Sequence, residues 1–163
     1  MEIDFIINTF EQEQEVVELF KGSVDFFKKQ GIRFSMPERG IEEEYDEAVY
    51  QAFLEKAKAA WNENEGGFVG RLQSFFKIQS MLKFTVHITQ YGPYGFYDDQ
   101  GNSSVTINRH VEGQALRVIR HEMIHTMVEP YVRAQALNHK QKEFIVETLG
   151  TMFDSVGGIQ DPE

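Results

Sequence analysis

The chain has no cysteine. It therefore forms no disulfide and offers no thiolate, so any cation it binds must be held by nitrogen and oxygen. An excess of basic residues is also missing: 16 Lys and Arg stand against 26 Asp and Glu, for a formal charge of −10. The attraction to phosphate that drives nucleic-acid binding is absent, and DNA and RNA are not expected partners. No window approaches the roughly 18 uncharged apolar residues of a membrane span. The opening Met1-Glu2-Ile3-Asp4 is acidic where a secretory signal is basic. No membrane association is expected, and a cytoplasmic location is the default.

What the chain does have is enough apolar material for a core. Its 163 residues are 41% hydrophobic and 13% aromatic, with fourteen Phe, a globular composition and not a disordered one. One domain is expected over 1–155. The remaining 156–163, with Gly157-Gly158 and Pro162, reads as a flexible tail.

Periodicity sketches the elements. Ile3, Phe5 and Ile7 alternate within an expected strand at 2–10. Val16, Val17, Phe20, Val24 and Phe27 lie at helical spacing over 12–30, with Gly31 as the stop. A short strand at 32–35, a break at 37–40, a helix at 42–62, a polar connector at 62–67 and a short helix at 69–79 follow. Phe84, Val86 and Ile88 alternate with polar residues in a strand at 83–90, and 104–108 is another. Asp98–Asn102 reads as a hairpin turn whose first arm includes Phe96 and Tyr97. A helix is expected over 113–129, ended by Pro130, and a last one from the Asn138/Gln141 capping box to about Ser155. The sum is an α+β chain with a small mixed or antiparallel sheet.

The helix at 113–129 carries His121-Glu122-Met123-Ile124-His125. Helix positions i and i+4 share a face, so both imidazoles can reach one ion while Glu122 projects beside it. Zinc accepts imidazole nitrogen at about 2.0–2.1 Å, and a catalytic site keeps one position open for water. Leu116, Ile119, Met123, Ile124, Met127 and Val128 occupy more than one face, which predicts a helix running through the interior. His87, His110 and His139 stand apart and read as surface or hydrogen-bonded histidines.

A third ligand must come from elsewhere. Tyr131 stands six residues after His125, where an elongated motif would place another histidine. Glu129 fails on reach, since eight helical residues rise about 12 Å. Glu143 and Glu147 are better placed, on a helix that a short connection can fold back beside the first. Either register is open from spacing alone.

Here the chain resembles the gluzincin branch of the zincin metallopeptidases over about 113–154. Glu143-Phe144-Ile145-Val146-Glu147, followed by Gly150-Thr151, is similar to the glutamate helix of thermolysin-like enzymes. The resemblance implies a zincin-like fold with an active-site helix and a following glutamate-bearing helix. It makes Glu143 the third ligand and Glu147 the group that orients a ligand histidine, with Glu147 as ligand in the rival register. It further implies one zinc per chain, an edge strand over the cleft, and hydrolysis of a peptide or protein substrate with Glu122 as general base. The aromatic loop Tyr91–Tyr97 is a candidate groove lining, with Tyr94, Phe96 and Tyr131 as substrate-binding candidates. Tyr131, Arg133 and the loop tyrosines are open choices for stabilising an oxyanion. The alternative is a metallopeptidase-like binding or regulatory protein with little or no turnover.

Overall fold

The computed structural model describes residues 1–79, 81–98, 103–111 and 113–154. Strands β1 (Glu2–Ile7), β2 (Phe34–Ser35), β3 (Lys83–Thr89), β4 (Gly92–Pro93), β5 (Gly95–Tyr97) and β6 (Ser104–Asn108) combine with helices α1 (Phe10–Phe20), α2 (Val24–Gln30), α3 (Ile41–Glu44), α4 (Glu47–Phe75), α5 (Ala115–Ala134) and α6 (His139–Asp154). This is a mixed α+β architecture. The main sheet has the order β1-β3-β6-β5; β1, β3 and β6 run parallel, and β5 pairs antiparallel with β6 at the edge. A small ladder joins β2 to β4. No described helix is long and apolar enough to cross a membrane.

Strand alternation sends Ile3, Phe5, Ile7, Phe84, Val86, Ile88, Val105 and Ile107 into one core cluster. Against it lie Tyr50, Leu54, Ala57, Trp61, Phe68 and Leu72 of α4 and Ile119, Met123, Ile124 and Val128 of α5. Val146, Leu149 and Phe153 of α6 complete the cluster. Full burial of a large apolar side chain is worth about 1.5–3 kcal/mol, so this shared core fixes how α5 and α6 meet. At the far end of the sheet Glu13 is fully buried, accepting hydrogen bonds from Asn8 Nδ2 at 2.9 Å and the Gln90 backbone N–H at 3.0 Å. Those bonds pin α1 to the segment leading into β4 and β5.

Several elements depart from the periodicity reading. The first strand stops at Ile7 because Thr9 and Gln12 form a capping box that starts α1 at Phe10. The expected helix at 12–30 is broken by a 3₁₀ turn at Lys21–Ser23, while Gly31 does end α2 in the left-handed region at φ 68°. The stretch at 62–67 is not a connector, because α4 runs straight through it. Its residues 50, 54, 57, 61, 68 and 72 make one buried stripe, and that packing outweighs the poor helix propensity of Gly66 and Gly67. Arg120 Nη2 also donates to the Asn64 carbonyl at 2.7 Å.

Pro130 does not end the motif helix either; it lies inside α5. An interior proline forfeits one backbone bond and costs about 3 kcal/mol. Val132, buried beyond it, and the Arg133–Glu129 ion pair at 3.0 Å hold the extra turn in place. The Asn138–Gln141 capping box is present, Asn138 N–H donating to Gln141 Oε1 at 2.9 Å and Gln141 N–H to Asn138 Oδ1 at 3.1 Å. Most of the expected hairpin turn, 99–102, and the expected tail, 156–163, lie outside the described residues.

The continuity of α4 is open to a direct check. A methyl group at Gly66 meets nothing within 4 Å, and Gly to Ala inside a helix stabilises by roughly 0.5–1 kcal/mol. Gly66→Ala should raise stability by about that amount in urea unfolding. A loss would show that the segment is not helical.

Candidate metal centre

The i,i+4 spacing places His121 and His125 one above the other on α5, and the capping box aims the first turns of α6 at them. Their Nε2 atoms lie 3.0 Å apart. Glu143 reaches in from α6, with Oε1 3.4 Å from His125 Nε2 and Oε2 3.7 Å from His121 Nε2. These three residues form a group that can hold a metal ion, their donor atoms all lying within 4.8 Å of one another. His125 is buried, whereas His121 and Glu143 are about one-third exposed, at 34% and 31%. The cluster therefore opens to solvent on one side.

Electrostatics prepares these groups. Burial, reinforced by the neighbouring His125, holds the His121 pKa below its ordinary value, which favours the neutral imidazole that a cation requires. The hydrogen bond with His125 holds the Glu143 carboxyl below the usual carboxylate range. Glu122 behaves oppositely. Burial, with the nearby Glu143 charge, pushes it up to about 8.

Glu122 is seated against the edge strand. A methyl group at Gly95 would lie 2.5 Å from Glu122 Oε1 and 2.5 Å from Val118 Cγ1, so only glycine allows β5 to approach α5 this closely. The next inward residue of that strand, Tyr97, stacks on the His125 ring at 5.1 Å and 6°. Its hydroxyl donates to Glu129 Oε2 at 2.7 Å and accepts from Lys142 Nζ at 3.0 Å, joining β5, α5 and α6 behind the histidine.

The other expected residues are placed differently. Glu147 is exposed and makes no hydrogen bond or ion pair with either histidine. It lines a cavity of about 500 Å³ beside His121 together with Arg117, Arg120 and Asp154. The Glu147 charge is felt at His121, while the Tyr97 ring stacks on His125, whose Nδ1 is buried with no hydrogen-bond partner among the described residues. Tyr94 lines a second cavity of about 450 Å³ on the other side, with Arg33, Gly95, Arg117, His121 and Glu122. Phe96 points elsewhere and packs edge-on against Phe20 at 5.0 Å. Tyr131 is exposed and lines neither cavity. His139, read as isolated, has Nδ1 3.5 Å from Glu143 Oε1.

Sequence reasoning passed over Arg117 and placed Gly95 and Tyr97 only within an aromatic loop, without their contacts to Glu122 and His125. The strand alternation that turns Phe96 away from the core also turns Gly95 and Tyr97 toward α5, and Arg117 stands one helical turn before His121. No family model, curated protein or solved structure matches the chain.

This geometry has consequences for metal uptake and for stability. Zinc added to the protein should bind at one per chain, and His121→Ala or His125→Ala should abolish that binding. Glu143→Ala should weaken it more than Glu147→Ala, which is expected to change affinity by no more than about 10–100-fold. Uptake should fall as pH drops below the ordinary histidine range near 6.5, since protonated imidazole cannot ligate. Isothermal titration across pH checks all of these, and the reverse order of the two glutamates would transfer the ligand role to Glu147. Separately, Gly95→Ala should destabilise the fold by about 1–3 kcal/mol through overpacking. Unchanged urea unfolding would contradict the close approach.

Proposed function

We propose that the chain is a zinc-dependent peptidase of zincin-like, gluzincin type. The observation that carries this reading is the convergence of His121, His125 and Glu143 beside the buried carboxyl of Glu122. Tetrahedral coordination with bonds of about 2.0–2.1 Å sets ligand atoms about 3.4 Å apart; the two Nε2 atoms are 3.0 Å apart, and each carboxylate oxygen of Glu143 lies near a different imidazole, Oε1 3.4 Å from His125 and Oε2 3.7 Å from His121. Two imidazoles and one carboxylate are also a donor set of catalytic zinc sites, and their partial exposure leaves a side open to substrate. Zinc bound there would supply a Lewis acid for the scissile carbonyl and an activated water.

The protein's own groups do the rest. Positive charge at the cluster favours the ionised form of Glu122, against the burial that otherwise keeps its proton on. Glu122 then accepts a proton from the attacking water at a carboxylate oxygen and passes it to the leaving amine nitrogen. Gly95, by carrying no side chain, leaves Glu122 beside the strand where substrate would lie.

The edge strand favours an extended peptide over other hydrolysable compounds. Asn108 N–H donates to the Tyr94 carbonyl at 3.0 Å and Asp98 N–H to the Ser104 carbonyl at 3.0 Å. By antiparallel alternation the peptide groups of Gly95 therefore face away from β6. A substrate strand added at that edge would run past His121 and Glu122.

The test is Glu122→Gln, which keeps shape and hydrogen-bonding capacity but accepts no proton. Fold and zinc content should be retained while turnover of any cleaved peptide falls by at least about 10²–10⁴-fold. Equal turnover by the variant would refute the role of Glu122. A zinc-loaded wild-type protein that cleaves nothing in a broad peptide library would leave a binding or regulatory protein as the reading.

A further inference from the structure

Three arginines line the cavities beside the candidate site of a chain that is acidic overall. Arg117 lines the cavities on both sides of His121, and Arg33 lines the one that also contains Gly95 and Glu122. Both side chains are exposed, and neither makes an ion pair with a described residue. Arg120, in the other cavity, is already engaged: it donates to Asp154 Oδ1 at 2.8 Å and the Asn64 carbonyl at 2.7 Å. Glu147 adds further negative charge to that wall. The two cavities thus differ in character. The Glu147 side is balanced, while the Gly95 side is lined by two arginines and one acidic residue, the buried Glu122.

We propose that the Gly95-side cleft selects peptides carrying a carboxylate close to the scissile bond, bound by Arg117 and Arg33. This rests on the peptidase reading above and names its substrate class. A guanidinium offers a planar fork that matches a carboxylate, and charge-assisted bonds of this kind are stronger than neutral ones. The net charge of −10 makes the contrast functional: an acidic peptide repelled by the net charge of the chain is attracted at the cleft. The carboxylate has two sources, an Asp or Glu side chain or the C-terminus of the peptide.

Fluorescent peptide pairs distinguish these sources, using the zinc-loaded full chain. One pair differs by Glu or Gln at positions flanking the cleaved bond, the other by a free or amidated C-terminus. For at least one pair the acidic member should show kcat/KM about tenfold or more above its twin, as expected for a bond to a charged group. The preferred pair identifies the source. Arg117→Gln and Arg33→Gln should each reduce the ratio, and the double variant should bring it near unity with zinc content unchanged. Arg117→Lys should retain part of it, and high salt should shrink it. Equal cleavage within both pairs overturns the proposal while leaving the peptidase reading intact. Fluorescence anisotropy with Glu122→Gln measures binding without turnover. Tighter binding of the acidic peptide, lost in Arg117→Gln/Glu122→Gln, supports the arginine site even if the wild type cleaves nothing, and equal binding of both twins overturns it.

Discussion

The packing of α5 against α6 is the constraint on which the site depends. One face of α5 is committed to the core through Ile119, Met123, Ile124 and Val128, and α6 seals the same core with Val146, Leu149 and Phe153. Those apolar contacts leave the polar residues of the two helices little choice of partner. Glu143 Oε1 is brought to 3.4 Å from His125 Nε2 because the helices meet where their apolar stripes require. The convergence of these three side chains is thus a by-product of hydrophobic register, and a shift of either helix by one residue would disperse it.

The edge strand adds the second half of the arrangement. Strand β5 approaches α5 closely enough that Gly95 can have no side chain, and that approach keeps Glu122 buried and its carboxyl pushed up to about 8. Two positions later Tyr97 fills the space behind His125, holding a ring whose Nδ1 has no hydrogen-bond partner among the described residues. The stack, and not a hydrogen bond to the far ring nitrogen, is the contact that holds this ring. Lys142 and Glu129, both bonded to the Tyr97 hydroxyl, tie that support back to the helices.

Much of this was legible in the sequence, for reasons that separate local from distant physics. Helix geometry alone puts His121 and His125 on one face, and the Asn138–Gln141 box announces where α6 begins. The alternation of 83–90 and 104–108 was sufficient for two strands and their inward faces. Continuity was harder to read: Gly66, Gly67 and Pro130 are local breakers, and tertiary burial of Phe68, Leu72 and Val132 overrides them. That Glu143, and not Glu147, lies against the two imidazoles depends on the helix crossing, which no local pattern encodes. Gly95 against Glu122 and Tyr97 against His125 are contacts across more than 25 residues, visible only once β5 is placed at the sheet edge. Burial of Glu13, an acidic residue on a surface-like helix, belongs to the same class.

In the proposed function, two imidazoles and a carboxylate from α5 and α6 hold zinc with one position left for an exchangeable ligand. X-ray absorption at the zinc edge, on protein loaded with one equivalent, addresses it most directly. A four-coordinate light-atom shell at about 2.0–2.1 Å, with outer-shell scattering from two imidazoles, is expected. A six-oxygen shell without imidazole scattering, or no stoichiometric zinc at all, would contradict it.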